Sequence, residues 1–393
     1  MKAWSAGCLG VILAASLLTA WVPLRWPVSI LETGSYALAL AWMVRLVLAR
    51  KLPRGSLLLL PLGVNVAWGV VQRAAGWTWA PSDAASATLN WAAYLALAFA
   101  AIQTFPESAE TEAFLRAALW CGAALCIVST LQSFTSPDKV FWYFPVPRPV
   151  FLMGPFLNHG QYSAFVELLL PLALIGAVQT RRPSYGAMAG VMVASVIASA
   201  SRGGFAMVVI EVLTVLAFVA GSTRDGWRRI GPTLGVIVAL TASLTAVVGW
   251  ESLTTRLALK GAYFDRGQML LSSIAMIRDH PWVGVGLGCW PTAFPFYARY
   301  DTGEFANQAH NDWAQWAAEG GIPMLASQLF LLAWAVRRIR SHPWIMGPVF
   351  VLAHAFFDYP FQKPAVAALA FVLLATGATS MSQRKRSVTV TGS

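Results

Sequence analysis

Charge is scarce in this chain: 11% of its 393 residues are charged, against about 25% in a typical soluble domain, while 57% are hydrophobic. Water is therefore not its main solvent. Cysteine is also rare, at four residues. Cys8, Cys121 and Cys126 lie in apolar runs, which leaves Cys289 alone in polar sequence and excludes a disulfide framework. No D-x-D triplet occurs, and Asp301 and Glu304 stand in a glycine-containing turn without a histidine at metal-ligand spacing, so a metal-dependent sugar transferase loses support. G-x-S-x-G, H-E-x-x-H and Walker loops are absent too. The glycines of Gly284-Val285-Gly286-Leu287-Gly288 follow no strand, and no helix N-terminus is expected after them, which removes a dinucleotide-binding reading.

What is abundant is apolar sequence in runs near the roughly 20 residues that cross a bilayer. Segments near 7–24, 28–48, 56–71, 85–104, 114–134, 159–178, 186–200, 204–221, 231–250, 320–336, 345–357 and 365–380 predict an all-α polytopic membrane protein with about 12 transmembrane helices. Residues 1–393 form one integral membrane domain in this reading, and residues 251–319 form a long, partly helical periplasmic loop between the ninth and tenth spans. Met1–Leu24 is the first span rather than a leader, since no small-x-small site precedes a polar mature start.

The formal charge of +11 comes in short basic clusters between apolar runs, which excludes a nucleic-acid partner and points to topogenic charge. With both termini in the cytoplasm, Arg50, Lys51 and Arg54, then Arg181 and Arg182, Arg224, Arg228 and Arg229, Arg337, Arg338 and Arg340, and the basic tail all fall inside. The acidic turn Pro106–Glu112 shares that side, and segments near 135–158 and 251–319 fall outside. Within the second, Arg266 to Arg278 predicts a helix with Leu270, Ile274 and Ile277 as its apolar stripe, ending at Asp279-His280-Pro281.

Topology does not explain positive charge outside, which makes Arg148, Arg202, Arg266 and His310 the functional candidates. Arg202 lies in the tight turn Ala200-Ser201-Arg202-Gly203-Gly204, at the membrane surface, where a guanidinium needs a counter-charge or a polar cavity. His310 belongs to the polar run Asn307-Gln308-Ala309-His310-Asn311-Asp312, and a neutral imidazole accepts a proton from a hydroxyl nucleophile. Asn158, His159 and Asn311 are further candidates for substrate contact. His280 belongs to the helix stop, His342 is cytoplasmic and His354 lies inside a span. Glu32, Glu167 and Glu211 are ionisable groups within or near spans, and their partners cannot be named from sequence. Arginines without a metal can hold a diphosphate, because each presents a fork of donors that matches phosphate oxygens.

Gly154-Pro155-Phe156-Leu157-Asn158-His159-Gly160, Ser201-Arg202-Gly203-Gly204, the stretch from Arg266 through Met276-Ile277-Arg278-Asp279-His280-Pro281-Trp282-Val283-Gly284-Val285-Gly286, and His310-Asn311 with Glu319-Gly320-Gly321 follow in that order. Over roughly 148–325 the chain resembles the O-antigen ligase and polymerase superfamily. The resemblance implies a glycosyltransferase of the bacterial inner membrane that takes a glycan from undecaprenyl diphosphate on the periplasmic face and joins it to a lipid A-core sugar. For a polymerase the acceptor is instead a second lipid-linked repeat. It further implies that Arg202 and Arg266 bind the diphosphate, with Arg148 as another arginine of the family, and that His310 activates the acceptor hydroxyl. No metal or other cofactor is implied, since the lipid-linked glycan is itself a substrate. Leu270 departs from the tryptophan that relatives often carry. From a different class, a secondary transporter shares the layout of twelve spans with both ends inside, but the long outer segment and the lack of a visible repeat between the halves weigh against it.

Overall fold

The computed structural model describes residues 2–105, 108–146, 152–221, 226–248, 262–299 and 305–378. The described chain is almost entirely helical. In order it forms α1 (Lys2–Leu18), α2 (Trp26–Leu48), α3 (Leu59–Ala74), α4 (Pro81–Thr104), α5 (Ser108–Thr135), a two-stranded hairpin of β1 (Lys139–Val140) and β2 (Phe144–Pro145), and α6 (His159–Thr180). Then follow α7 (Pro183–Ala198), α8 (Arg202–Gly221), α9 (Gly226–Val248), α10 (Ala262–Asp279), α11 (Trp290–Tyr297), α12 (Asp312–Arg338), α13 (Met346–His354) and α14 (Pro364–Thr376).

Six helices are long and apolar enough to cross a membrane unaided: α2, α4, most of α5, α6, α8 and α12. Shorter apolar helices account for the runs in α1, α7, α9, α13 and α14, and α3 for the run near 56–71. Together these are an all-α polytopic membrane protein. Helix α14 shows why hydropathy alone misjudges length, since residues 365–376 are all buried inside the protein. A helix shielded from lipid by its neighbours has no need to match the bilayer thickness.

Successive helices run in opposite directions, so their connections gather at two ends. At one end Trp21 packs on Phe144, the Trp79 amide donates to the Val285 carbonyl, and the Asp312 amide donates to the carbonyls of Ala355 and Asp358. At the other, the Ser5 and Thr104 hydroxyls meet at 2.6 Å and the Arg54 amide donates to Gln103 Oε1. The described basic clusters 50–54, 181–182 and 337–340 occupy connections of that second end, while Arg202, Arg266 and His310 lie at the first.

One packing arrangement joins two sequence motifs. Pro323 has no N–H to bond the carbonyl of Glu319, and α12 breaks just before it at Gly321, whose backbone is left-handed at φ 62°. The carbonyls so released are satisfied by the 281–288 loop: Val285 N donates to Ala318 O at 2.9 Å and Gly286 N to Glu319 O at 3.0 Å. Ile322 N returns a bond to Pro281 O at 2.9 Å, and Gln72 Nε2 adds one to Glu319 O at 2.9 Å. The loop approaches this closely because Gly284, at φ 69°, has no Cβ to strike the Glu319 carbonyl.

Two local expectations need correction. The buried face of α10 is Met269, Ser272, Ser273 and Met276, whereas Leu270 is 36% exposed and Ile274 and Ile277 are half-buried. Hydroxyls on the inner face shift the stripe by a residue: Ser272 Oγ donates to Tyr297 O, and Ser273 Oγ accepts from Trp290 Nε1. A helix does follow the glycine-rich loop, since α11 starts at Trp290 with Pro291 in its first turn, although no strand precedes the loop.

Candidate active site

The site forms where the N-termini of α6, α8 and α12 meet α10 and the connection after α13. Asn158 caps α6, its Oδ1 accepting from the amides of Gly160 and Gln161 at 2.7 and 3.2 Å. Asn311 caps α12 in the same way, accepting from Ala314 N at 2.9 Å, and its Nδ2 donates to Phe356 O at 2.7 Å. Asp312 then holds the 355–362 connection to the start of α12. Its amide bonds Ala355 O, and its carboxylate accepts from Phe361 N and Gln362 Nε2, each at 2.9 Å.

That clamp sets Asp358 at the centre. Arg266 Nη2 stands 3.8 Å from Asp358 Oδ2, His310 Nδ1 4.0 Å from Oδ1, and His354 Nε2 4.0 Å from Oδ2. The Asp358 side chain is 6% exposed, His310 21% and Arg266 31%, so the carboxylate is buried while its two outer partners are partly exposed. Asp358 presses on the first turn of α6 at Gly160, where a Cβ would overlap the carboxylate. The partial positive charge of a helix N-terminus favours an anion there.

Arg266 Nη1 donates to Phe357 O at 3.2 Å, yet its Nε and His310 Nδ1 are buried without a hydrogen-bond partner. Unsatisfied buried polar atoms are costly, and two of them beside one carboxylate make this cluster the candidate ligand site. His310 also adopts φ 52°, an unusual backbone for a residue with a Cβ. Its ring meets the Tyr359 ring edge-on at 4.5 Å, and Asn158 Nδ2 donates to the Tyr359 hydroxyl at 3.1 Å. Burial, then the Asp358 charge, push the Tyr359 hydroxyl up to about 12, so it stays protonated. Burial, then the Arg266 charge, press the His310 imidazole from 6.5 down to about 4 against the pull of Asp358, which leaves it neutral at pH 7.

The expected site residues are gathered to different degrees. Arg266, His310, Asn311 and Asn158 share the Asp358–Tyr359 connection. His159 Nδ1 contacts the Ser199 carbonyl in the turn before α8, joining the 154–160 and 201–204 motifs. Arg202 opens α8 at an exposed position, and the adjacent Gly203 lies against the Phe357 ring and His354 Nε2. Phe357 thus meets Arg266 through its carbonyl and Gly203, the residue after Arg202, through its ring. Arg148 lies outside the described residues. Glu32 has Arg25 as its partner at 2.8 Å, and Glu167 has His354 Nδ1 at 2.8 Å. Glu211 is buried with neither carboxylate oxygen hydrogen-bonded.

Sequence reasoning missed Asp358, Tyr359 and the role of His354. One signal was present: His354 and Glu167 are both ionisable groups inside apolar runs, and such groups pair when buried.

The fold and site define a class: a polytopic helical membrane protein with a cluster of arginine, histidine and aspartate side chains at one end of its helices. Residues 187–329 match the family model described as O-antigen ligase. The matched segment runs from within α7 to most of α12 and contains Arg202, Arg266, His310 and Asn311, so this part of the chain is similar to the O-antigen ligase and polymerase superfamily. No curated protein matches the chain.

Proposed function

We propose that the protein is an O-antigen ligase-type glycosyltransferase of the bacterial inner membrane. It moves a glycan from undecaprenyl diphosphate to a lipid A-core sugar on the periplasmic face, with His310 as general base and Arg266 and Arg202 binding the diphosphate. The observation that carries this reading is the meeting of Arg266 and His310 at opposite oxygens of the Asp358 carboxylate, each with a buried nitrogen unsatisfied.

Glycosyl transfer breaks the bond between the anomeric carbon and the diphosphate oxygen as the acceptor oxygen forms its own. Negative charge builds on the departing diphosphate, and fixed guanidinium groups stabilise it there without a metal. The acceptor hydroxyl gives its proton to the His310 imidazole. Attack opposite the leaving group inverts the anomeric centre. The Arg266 charge that depresses His310 in the free protein is cancelled when the diphosphate binds, so the imidazole gains basicity once the donor is in place. Asp358 keeps guanidinium and imidazole in register.

Polymerase activity, with a second lipid-linked repeat as acceptor, is the alternative within the enzyme class. The test is deletion of the gene followed by a lipopolysaccharide gel. Bare core with glycan accumulating on the lipid carrier supports a ligase; core bearing one repeat supports a polymerase. An unchanged pattern, together with solute movement by the purified protein in proteoliposomes, rejects both in favour of a transporter.

A further inference from the structure

Behind Asp358 lies a second pair of ionisable groups that the transfer reading does not use. Glu167 on α6 is fully buried and His354, the last residue of α13, is 1% exposed. Side chains on a helix lean toward its N-terminus, so Glu167 leans toward the site end and His354 away from it, and the two meet. Helix α13 comes close enough because Gly347 backs onto the carbonyls of Glu167 and Leu168. His354 Nδ1 lies 2.8 and 3.1 Å from the two Glu167 oxygens, and Nε2 points at Asp358 Oδ2 from 4.0 Å. Both ring nitrogens therefore face carboxylates, an arrangement suited to an imidazolium, which donates from both sides.

We infer that the Glu167–His354 pair is a positioning unit for the transfer centre, presenting a fixed buried cation to Asp358 and so holding that carboxylate between Arg266 and His310. Charge alternates along the chain of contacts: Glu167, His354, Asp358, Arg266 and then the donor diphosphate. The inference rests on the proposed function only for its activity readout. The three inner members, His354, Asp358 and Arg266, each have opposite charge on both sides, which is the condition under which buried ionised groups persist. Losing the inner cation leaves the Tyr359 amide at Oδ1, 2.9 Å away, and Arg266 at Oδ2, so the carboxylate is drawn toward Arg266 and away from its placement beside His310. The groups facing His354 are Glu167 from α6, Asp358 from the following connection and Arg266 from α10. Glu211 on α8 interacts electrostatically with Glu167.

The full chain contains five histidines, few enough for nitrogen-15 NMR of a histidine-labelled sample in detergent micelles. One imidazole with both nitrogens protonated at neutral pH, lost in His354→Gln, is expected. Five neutral rings would overturn the inference whether or not the protein transfers sugar. In Glu167→Gln, the pH midpoint of His310 modification by diethyl pyrocarbonate should move up by about one unit, since a neighbouring cation is lost. Its kcat should fall roughly 10- to 100-fold with the donor KM within about twofold, the pattern of a misplaced catalytic group. The double variant Glu167→Gln/His354→Gln keeps a hydrogen-bonding pair without charge and should show the same kinetic defect. A lower melting temperature with wild-type midpoint and kcat, or a double variant as active as wild type, would mean packing alone and reject the proposal. An inactive wild type that still shows the imidazolium would refute the transfer reading and leave the pairing intact.

Discussion

Arg266 and His310 reach the same carboxylate from different sides, at 3.8 Å from Oδ2 and 4.0 Å from Oδ1 of Asp358, although 44 positions separate them in the chain (310 − 266). In the proposed reaction they take separate tasks, one at the departing diphosphate and one at the incoming hydroxyl. Arg266→Ala should lower transfer on the order of 10²–10³-fold, the scale of removing a preorganised donor from a developing anion. Arg266→Lys should recover only part, because an ammonium cannot reproduce the bidentate fork. Initial rates with a purified lipid-linked donor check this, and full activity in the alanine variant would exclude Arg266 from the centre.

In the proposed reaction His310 sets the acid limb of the rate. A base works only when neutral, so activity is present above its pKa and lost as pH falls through it. Because burial and Arg266 hold the free imidazole at about 4, the limb of kcat/KM, which reports free enzyme, should lie near that value rather than near 6.5. The limb of kcat should lie higher, since a bound diphosphate offsets the Arg266 charge. Arg266→Gln should move the kcat/KM limb upward. A free-enzyme limb at or above 6.5 in the wild type would contradict the burial argument.

Asp358 is the hub, and Asp358→Asn retains its shape while removing its charge. The His310 imidazole then loses the one neighbour that favours its protonated form, so its midpoint of modification should fall further below about 4. Transfer should drop roughly 10²-fold or more, since the imidazolium formed in the reaction loses its counter-charge. A variant with wild-type kcat would remove Asp358 from the mechanism.

Much of this was readable from residue types. Apolar runs of bilayer length marked the helices, and unexplained positive charge marked Arg202 and Arg266. The signal failed where tertiary contacts decide. Asp358 stands six positions before the start of α14, in a connection that sequence treats as a gap between spans, and nothing local reveals that Asp312 folds it back onto α12. The α10 stripe was misjudged because Ser272 and Ser273 count as polar in a pattern, yet bury well once their hydroxyls find Tyr297, Trp290 and Met269. Glu167 was conspicuous, but its partner lies 187 positions away.

The junction of the 281–288 loop with α12 fixes the approach of α10 to the site. Gly284→Ala places a Cβ on the Glu319 carbonyl and asks alanine to adopt φ 69°. The backbone term alone is about 1–3 kcal/mol, and the clash adds to it, so a clear drop in detergent melting temperature is expected. Because the loop carries the end of α10, transfer should fall with it while donor binding by Arg202 is partly retained. An alanine variant with unchanged melting behaviour would show that the loop and the α12 break are not mated as described.

The last prediction concerns metal. Among the described residues no group of three or more histidine, cysteine, aspartate or glutamate side chains is arranged to hold an ion. In the proposed reaction the guanidinium groups of Arg266 and Arg202 carry the diphosphate charge. Transfer should therefore continue at an undiminished rate in excess chelator, and added magnesium should not rescue Arg266→Ala. Loss of activity on chelation that only a divalent ion restores would reverse the assignment, since a metal would then be carrying the diphosphate charge attributed to Arg202 and Arg266.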